Sequence, residues 1–190
     1  MPNEILDAIA TRYSCRAFTD EPVSRADLDS LALAAAQAPS ARHNAPWHVV
    51  IVTNRQFIDD IHRCAVALLR RHDREIHKAA KTGSVDLFFH APAMILVATR
   101  NTHDFTPAEL DAGLLVENVA LAATGLGLGT CICGSATQAF RDRHTDDGER
   151  LSRALGFPWG YEMTVSVLVG HPAGTGTPHT PDLSKIHYIE

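Results

Sequence analysis

Arg12, Ser14 and Arg16 stand two residues apart in the stretch TRYSCRAF, residues 11–18. In an extended backbone this spacing sends all three side chains to one side, and in a helical turn the two arginines still share a face at i, i+4. Either geometry offers one anion two planar forks of N–H donors and a hydroxyl, which suits a phosphate. Taken alone, the stretch reads more simply as two solvated charges near a helix end, so the rest of the chain has to decide. Other self-contained chemistry is missing: there is no G-x-S-x-G elbow, no G-x-x-x-x-G-K and no H-E-x-x-H. No two of the 11 histidines stand three or four residues apart, as two ligands on one helix face would, and no metal site is expected. The four cysteines, Cys15, Cys64, Cys131 and Cys133, are scattered as reduced thiols would be, with Cys131 and Cys133 as small apolar fillers on a strand.

The elements that must position these residues follow from periodicity. A short helix over 3–10, capped by Asn3, delivers the chain to the arginines. After Pro22, Ser24 caps an alanine-rich helix running to Gln37, and the loop 38–47 with Pro39 and Pro46 ends it. Strands are predicted at 48–53, 94–99, 130–133 and 163–169. Helical spacing covers 54–81, but large apolar residues thin out after Arg70, so 70–85 is expected to be a lid rather than core. A turn is expected over 101–107. From Thr106 or Pro107 a long helix, apolar nearly all round, is expected to be central and buried on both sides, with a partner for Asn118. The run Gly125-Leu126-Gly127-Leu128-Gly129 lacks the strand-before, helix-after order of a dinucleotide fingerprint and reads as a helix C-cap with a close crossing. Residues 170–190 form an arm whose last six residues alternate enough to add an edge strand, in this subunit or a neighbour.

With 190 residues, 45% hydrophobic and 21% charged, the sequence fits one domain, 1–190. The net charge of -5 and the absence of long basic runs argue against nucleic acid as a partner. No apolar stretch approaches the ~18 residues of a membrane span, and the start MPNEILDAIA lacks the marks of a signal peptide. No membrane partner and a cytoplasmic location are therefore expected.

Several pieces recur together: Arg12-x-Ser14-x-Arg16; the Ala38-Pro39-Ser40 loop ending in Pro46-Trp47; Phe88-Phe89-His90-Ala91-Pro92 before a strand; and Asp111 to Asn118 running into Gly127 to Gly134. In this order and spacing the chain resembles the FMN-dependent nitroreductase family over almost its whole length. The resemblance implies an α+β fold, a central mainly antiparallel sheet flanked by helices, in an intertwined homodimer with two FMN sites at the interface. It also implies ping-pong transfer of hydride from NADH or NADPH, by way of flavin N5, to a small-molecule electron acceptor such as a nitroaromatic or a quinone. Residue by residue, Arg12 and Ser14, with Tyr13 between them, would hold the phosphate, and Arg16 would sit over the pyrimidine edge of the ring. Pro39 and Ser40, with Ala41, His43 and Asn44, would line the flavin from the partner subunit. The backbone of Cys133 and Gly134 would face flavin O4 and N5.

Three departures predict weaker FMN binding than is usual: His179 where the family places Arg or Lys, Ala45 in place of the family's amide before Pro46-Trp47, with only Asn44 beside it to take over the bond, and Arg12-Tyr13 in place of Arg-Arg. No side chain stands out as a general acid, so solvent or a lid residue would supply protons. The same resemblance admits a specialised reductive enzyme, of the dehalogenase or azoline dehydrogenase type, or a non-catalytic flavin-binding or storage protein.

Overall fold

The computed structural model describes residues 3–69, 82, 86–100, 107–141 and 146–190. Apart from Thr82, the expected lid over 70–85 lies outside the described residues, as does the expected turn over 101–106. Helix α1 (Glu4–Thr11) starts where the Asn3 side chain accepts the N–H groups of Ile5 and Leu6 at 3.2 and 3.3 Å. Helix α2 (Arg25–Ala36) starts where Ser24 Oγ accepts the Asp27 N–H at 3.1 Å. Both caps satisfy first-turn donors that a helix cannot satisfy itself.

Among the described residues, four strands form one antiparallel sheet, β1 (Trp47–Val52), β2 (Ala93–Thr99), β3 (Gly129–Cys133) and β4 (Glu162–Gly170), in the order β1-β2-β4-β3. Every residue of β2 is buried, because helices cover both faces of the sheet. Period-two alternation splits its side chains. Met94 and Leu96 join Leu168, Ile58, Ile61 and Leu151 under α3 (Arg55–Leu69), α5 (Ser135–Arg141) and α6 (Asp147–Leu155). Ile95 and Val97 join Val167, Val169, Leu31, Leu115 and Val119 under α2 and α4 (Ala108–Gly125). Each of these large aliphatics contributes about 1.5–3 kcal/mol by leaving water.

Helix α4 turns its Ala112, Leu115, Val116, Val119 and Ala123 inward, and Asn118 finds its partner by donating from Nδ2 to the Ala34 carbonyl at 3.2 Å. The expectation that this helix is buried on both sides is corrected within the single chain. Leu110 and Leu114 stand 59% and 41% exposed, since α2 and the sheet cover only one side. Its C-terminus follows the expected glycine logic: Gly127 takes φ 74° and the Leu128 N–H returns to the Ala123 carbonyl at 2.8 Å. At Gly129 a Cβ would lie 2.9 Å from Cys15 Cβ, so the close crossing requires glycine.

The C-terminal edge strand is a second correction for this subunit. After a 3-10 turn at Leu183–Lys185, residues 186–190 pair with no described strand, and Ile186, Tyr188 and Ile189 are exposed. The reason is local. Beyond β4 the chain turns along residues 17–19, and the rim beside β3 is met by Ser14, bridged to Thr130. No described helix is long and apolar enough to cross a membrane.

Candidate functional site

Helix α1 ends at Arg12, whose N–H still reaches the Ala8 carbonyl at 3.0 Å while its φ/ψ of -58°/134° leaves the helix. From there the chain runs extended. Cys15 is buried and its N–H donates to the Thr130 carbonyl at 2.7 Å, whereas Ser14 and Arg16 on either side are exposed. The extended reading of the spacing is therefore the correct one, with Ser14 and Arg16 turned away from the core that holds Cys15.

The arm closes the other wall. Thr19 N–H donates to the His171 carbonyl and Ala173 N–H to the Ala17 carbonyl, each at 2.9 Å, and Phe18 bridges Pro172. Tyr13 then docks the arm twice: its Oη donates to the Gly174 carbonyl at 3.2 Å, and its ring lies so close to Gly176 that a Cβ there would overlap it. The result is a cavity of about 730 Å³ between residues 12–17 and 174–180, bordered by Arg12, Tyr13, Ser14, Arg16 and His179. That volume lies within the ~300–1,000 Å³ of small-molecule sites. The first-motif residues and His179, about 160 positions apart in sequence, are thus brought together.

Glu117 of α4 also reaches this wall, with its Oε1 3.5 Å from Arg12 Nε. The pair is half exposed, so it adds on the order of 0–1 kcal/mol and serves mainly to orient the guanidinium. Sequence reading missed this partner, because nothing in its spacing pairs residue 117 with residue 12.

The loop predicted to line the flavin does not border the cavity of its own chain. Pro39, His43 and Asn44 are exposed, with Ser40 and Ala41 half-buried. The loop has unusual backbone: Arg42, His43 and Ala45 take φ 55°, 55° and 42°. Ser40 Oγ accepts the Ala45 N–H at 2.8 Å, and the Ala41 N–H donates to Asp111 Oδ1 at 3.1 Å. Asp111, named from sequence only as the start of the run to Asn118, is 2% exposed. The signal was available, since it shares the inward row with Leu115 and Val119 at i+4 and i+8.

Cys133 ends β3 and Gly134 follows it, both outside the cavity's own lining. The Cys133 carbonyl accepts Ser166 Oγ at 2.7 Å, and Gly134 is exposed. Burial pushes the Cys133 thiol up, against the opposing N–H groups of Ala136 and Ser135. Burial also raises Cys131, against the Arg16 charge. Neither is a thiolate nucleophile at neutral pH.

Comparison with known proteins places the fold and the family. A nitroreductase with bound FMN from Desulfitobacterium hafniense DCB-2 is 40% identical, superposes with a TM-score of 0.90 and matches 100% of both chains. A nitroreductase with bound FMN from Bacteroides fragilis NCTC 9343, at 23% identity, shares the fold over 100% of both chains with a TM-score of 0.88. The FMN reductase [NAD(P)H] of Bacillus subtilis is 24% identical over 191 residues, covering 90% of this chain and 67% of the relative. The Nitroreductase family profile matches residues 9–171, from the last turn of α1 through β1 to β4 to the start of the arm, and the chain belongs to that family.

Proposed function

We propose that this chain is an FMN-dependent oxidoreductase that takes electrons from NADH or NADPH and passes them, in ping-pong turns, to nitroaromatics, quinones or related small acceptors, as a homodimer. The cavity in which Arg12, Ser14, Arg16 and His179 meet is the observation that carries this reading. Its donors fit the group: two guanidiniums, an imidazole and the hydroxyls of Ser14, Thr175 and Thr177 suit a phosphate and a polyol chain. When bound, FMN supplies a two-electron carrier that accepts hydride at N5 and hands it on.

The chain's own residues bind and orient. Arg12 and Ser14 hold the phosphate, with His179 completing the grip from the arm that Tyr13 docks. Arg16 offers a fixed positive charge to the ring's pyrimidine edge, where negative charge develops on reduction. Cys133 and Gly134 contribute backbone rather than thiol chemistry. The loop 39–44 reaches the partner's cavity rather than its own, which explains why it stands apart within one chain.

A face for that partner is present. Ile5, Leu6 and Ile9 of α1 are 69%, 60% and 51% exposed, and Leu110 and Leu114 of α4 are uncovered as well. An apolar surface of this kind marks an interface.

The test is anaerobic. Protein reconstituted with FMN should bleach on addition of NADH or NADPH and regain its colour with a quinone. Colour that never bleaches supports the storage reading instead, and protein that takes up no FMN refutes the proposal.

A further inference from the structure

Asp111 sits in the first turn of α4, 2% exposed, among the inward-facing residues of the helix. Burying a carboxylate is costly unless something nearby uses it. Among the described residues no cation pairs with it. Its Oδ1 accepts the Ala41 N–H at 3.1 Å, across 70 residues of sequence, and its Oδ2 is buried with no hydrogen-bond partner. The helix dipole does not account for it, because an exposed first-turn acid such as Glu109 gains the same benefit with no burial cost.

The loop it touches needs holding. Arg42, His43 and Ala45 occupy the left-handed region without being glycine, and such backbone persists only where its surroundings impose it. Ser40 Oγ closes the loop on itself by accepting the Ala45 N–H. The bond to Asp111 is different, since it ties the loop to α4, a long helix packed on the sheet.

We infer that Asp111 is a positioning residue: its buried carboxylate pins Ala41 and so sets loop 39–44 in the shape that lines the flavin. The inference rests on the proposed function. It acts through the loop, and Asp111 itself touches neither cofactor nor acceptor.

Both ends of the bond can be removed. Asp111→Ala deletes the acceptor and Asp111→Asn keeps an oxygen acceptor without the charge. Ala41→Pro deletes the donor and leaves Asp111 in place. Proline is tolerated there because Ser40 at φ -142°, ψ 157° already has the extended backbone a residue before proline prefers, and Ala41 opens a 3-10 turn.

The readouts on the full chain are the FMN dissociation constant and the quenching of bound flavin by iodide. Asp111→Ala and Ala41→Pro should each weaken FMN binding about tenfold and open the flavin to iodide, and the double variant should be no worse than the poorer single one. Asp111→Asn should stay within about threefold of wild type. A general loss of packing would give neither the rescue by Asn nor the non-additivity.

Should Asp111→Ala fail to fold, Ala41→Pro carries the test alone. Unchanged affinity and quenching, additive losses, or an Asn variant as poor as the Ala variant would overturn the inference. Wild-type protein that binds no FMN sinks the proposed function and this inference together, whereas wild-type binding with unaffected variants sinks this inference alone.

Discussion

Replacing Gly176 with alanine tests whether the arm forms a wall of the cofactor site. Gly176 lies against the Tyr13 ring, and an added Cβ would overlap Cδ2 and Cε2, far inside the ~3.5 Å of ordinary carbon contact. Ring or arm must then shift by about 1 Å or more. Because Gly176 is exposed and its contact is with Tyr13, at the edge of one apolar cluster, global stability should fall by no more than the ~0.5–1.5 kcal/mol of the bond that Tyr13 makes. The arm, however, loses the bond from Tyr13 Oη to the Gly174 carbonyl, worth ~0.5–1.5 kcal/mol, and carries His179 away with it. A total near 1.5 kcal/mol corresponds to roughly tenfold weaker FMN binding. Fluorescence titration of the apoprotein with FMN reads this, with a urea melt as the control. Adding Tyr13→Ala makes room for the new Cβ but removes the same dock, so the double variant should bind FMN about as well as Tyr13→Ala alone. Wild-type affinity in Gly176→Ala, or losses that simply add in the double variant, would refute the arm's role.

Arg12→Ala should weaken FMN binding by about 1.5–3 kcal/mol, roughly ten- to a hundredfold, while riboflavin binding, which lacks the phosphate, changes little; equal losses for both ligands would place the phosphate elsewhere. Leu114→Asp introduces a charge on the exposed apolar face of α4, and sedimentation velocity should show monomers that have shed flavin; a flavin-loaded monomer would contradict the shared site. Burial raises the Cys131 and Cys133 thiols in the folded state. The stability they contribute is therefore complete below the unfolded thiol value of ~8.5 and is lost as pH rises through the folded values. The urea midpoint should fall on the alkaline side of about pH 8.5, and a flat profile there, with thiols as reactive as free cysteine, would contradict the burial argument.

Much of the fold was legible because its signals are local. Asn3 and Ser24 cap the helices they precede, the β-branched centre of β1 and the apolar run of β2 form strands, and the glycines after α4 end a helix and permit a close crossing. The first motif was legible as a set of residue types but ambiguous in geometry. The bond from Cys15 N–H to the Thr130 carbonyl decides it, and that partner lies 115 positions along the chain. Residues whose roles depend on distant partners were not legible: Glu117 against Arg12, Asp111 against Ala41, and the Tyr13 ring against Gly176. The exposed side of α4 and the residues 186–190, unpaired within one chain, were not legible for a related reason. Their apolar pattern speaks of burial without saying which chain provides it.

The central claim is that residues 12–16 and the arm hold the FMN phosphate, with loop 39–44 supplied by a second copy of the chain. The most direct measurement is a crystal structure of the FMN complex. It should place phosphate oxygens within ~3.2 Å of Arg12 and Ser14, and the partner's Ser40 loop against the ring. A phosphate bound away from both arginines, or a flavin enclosed by one chain alone, would contradict it.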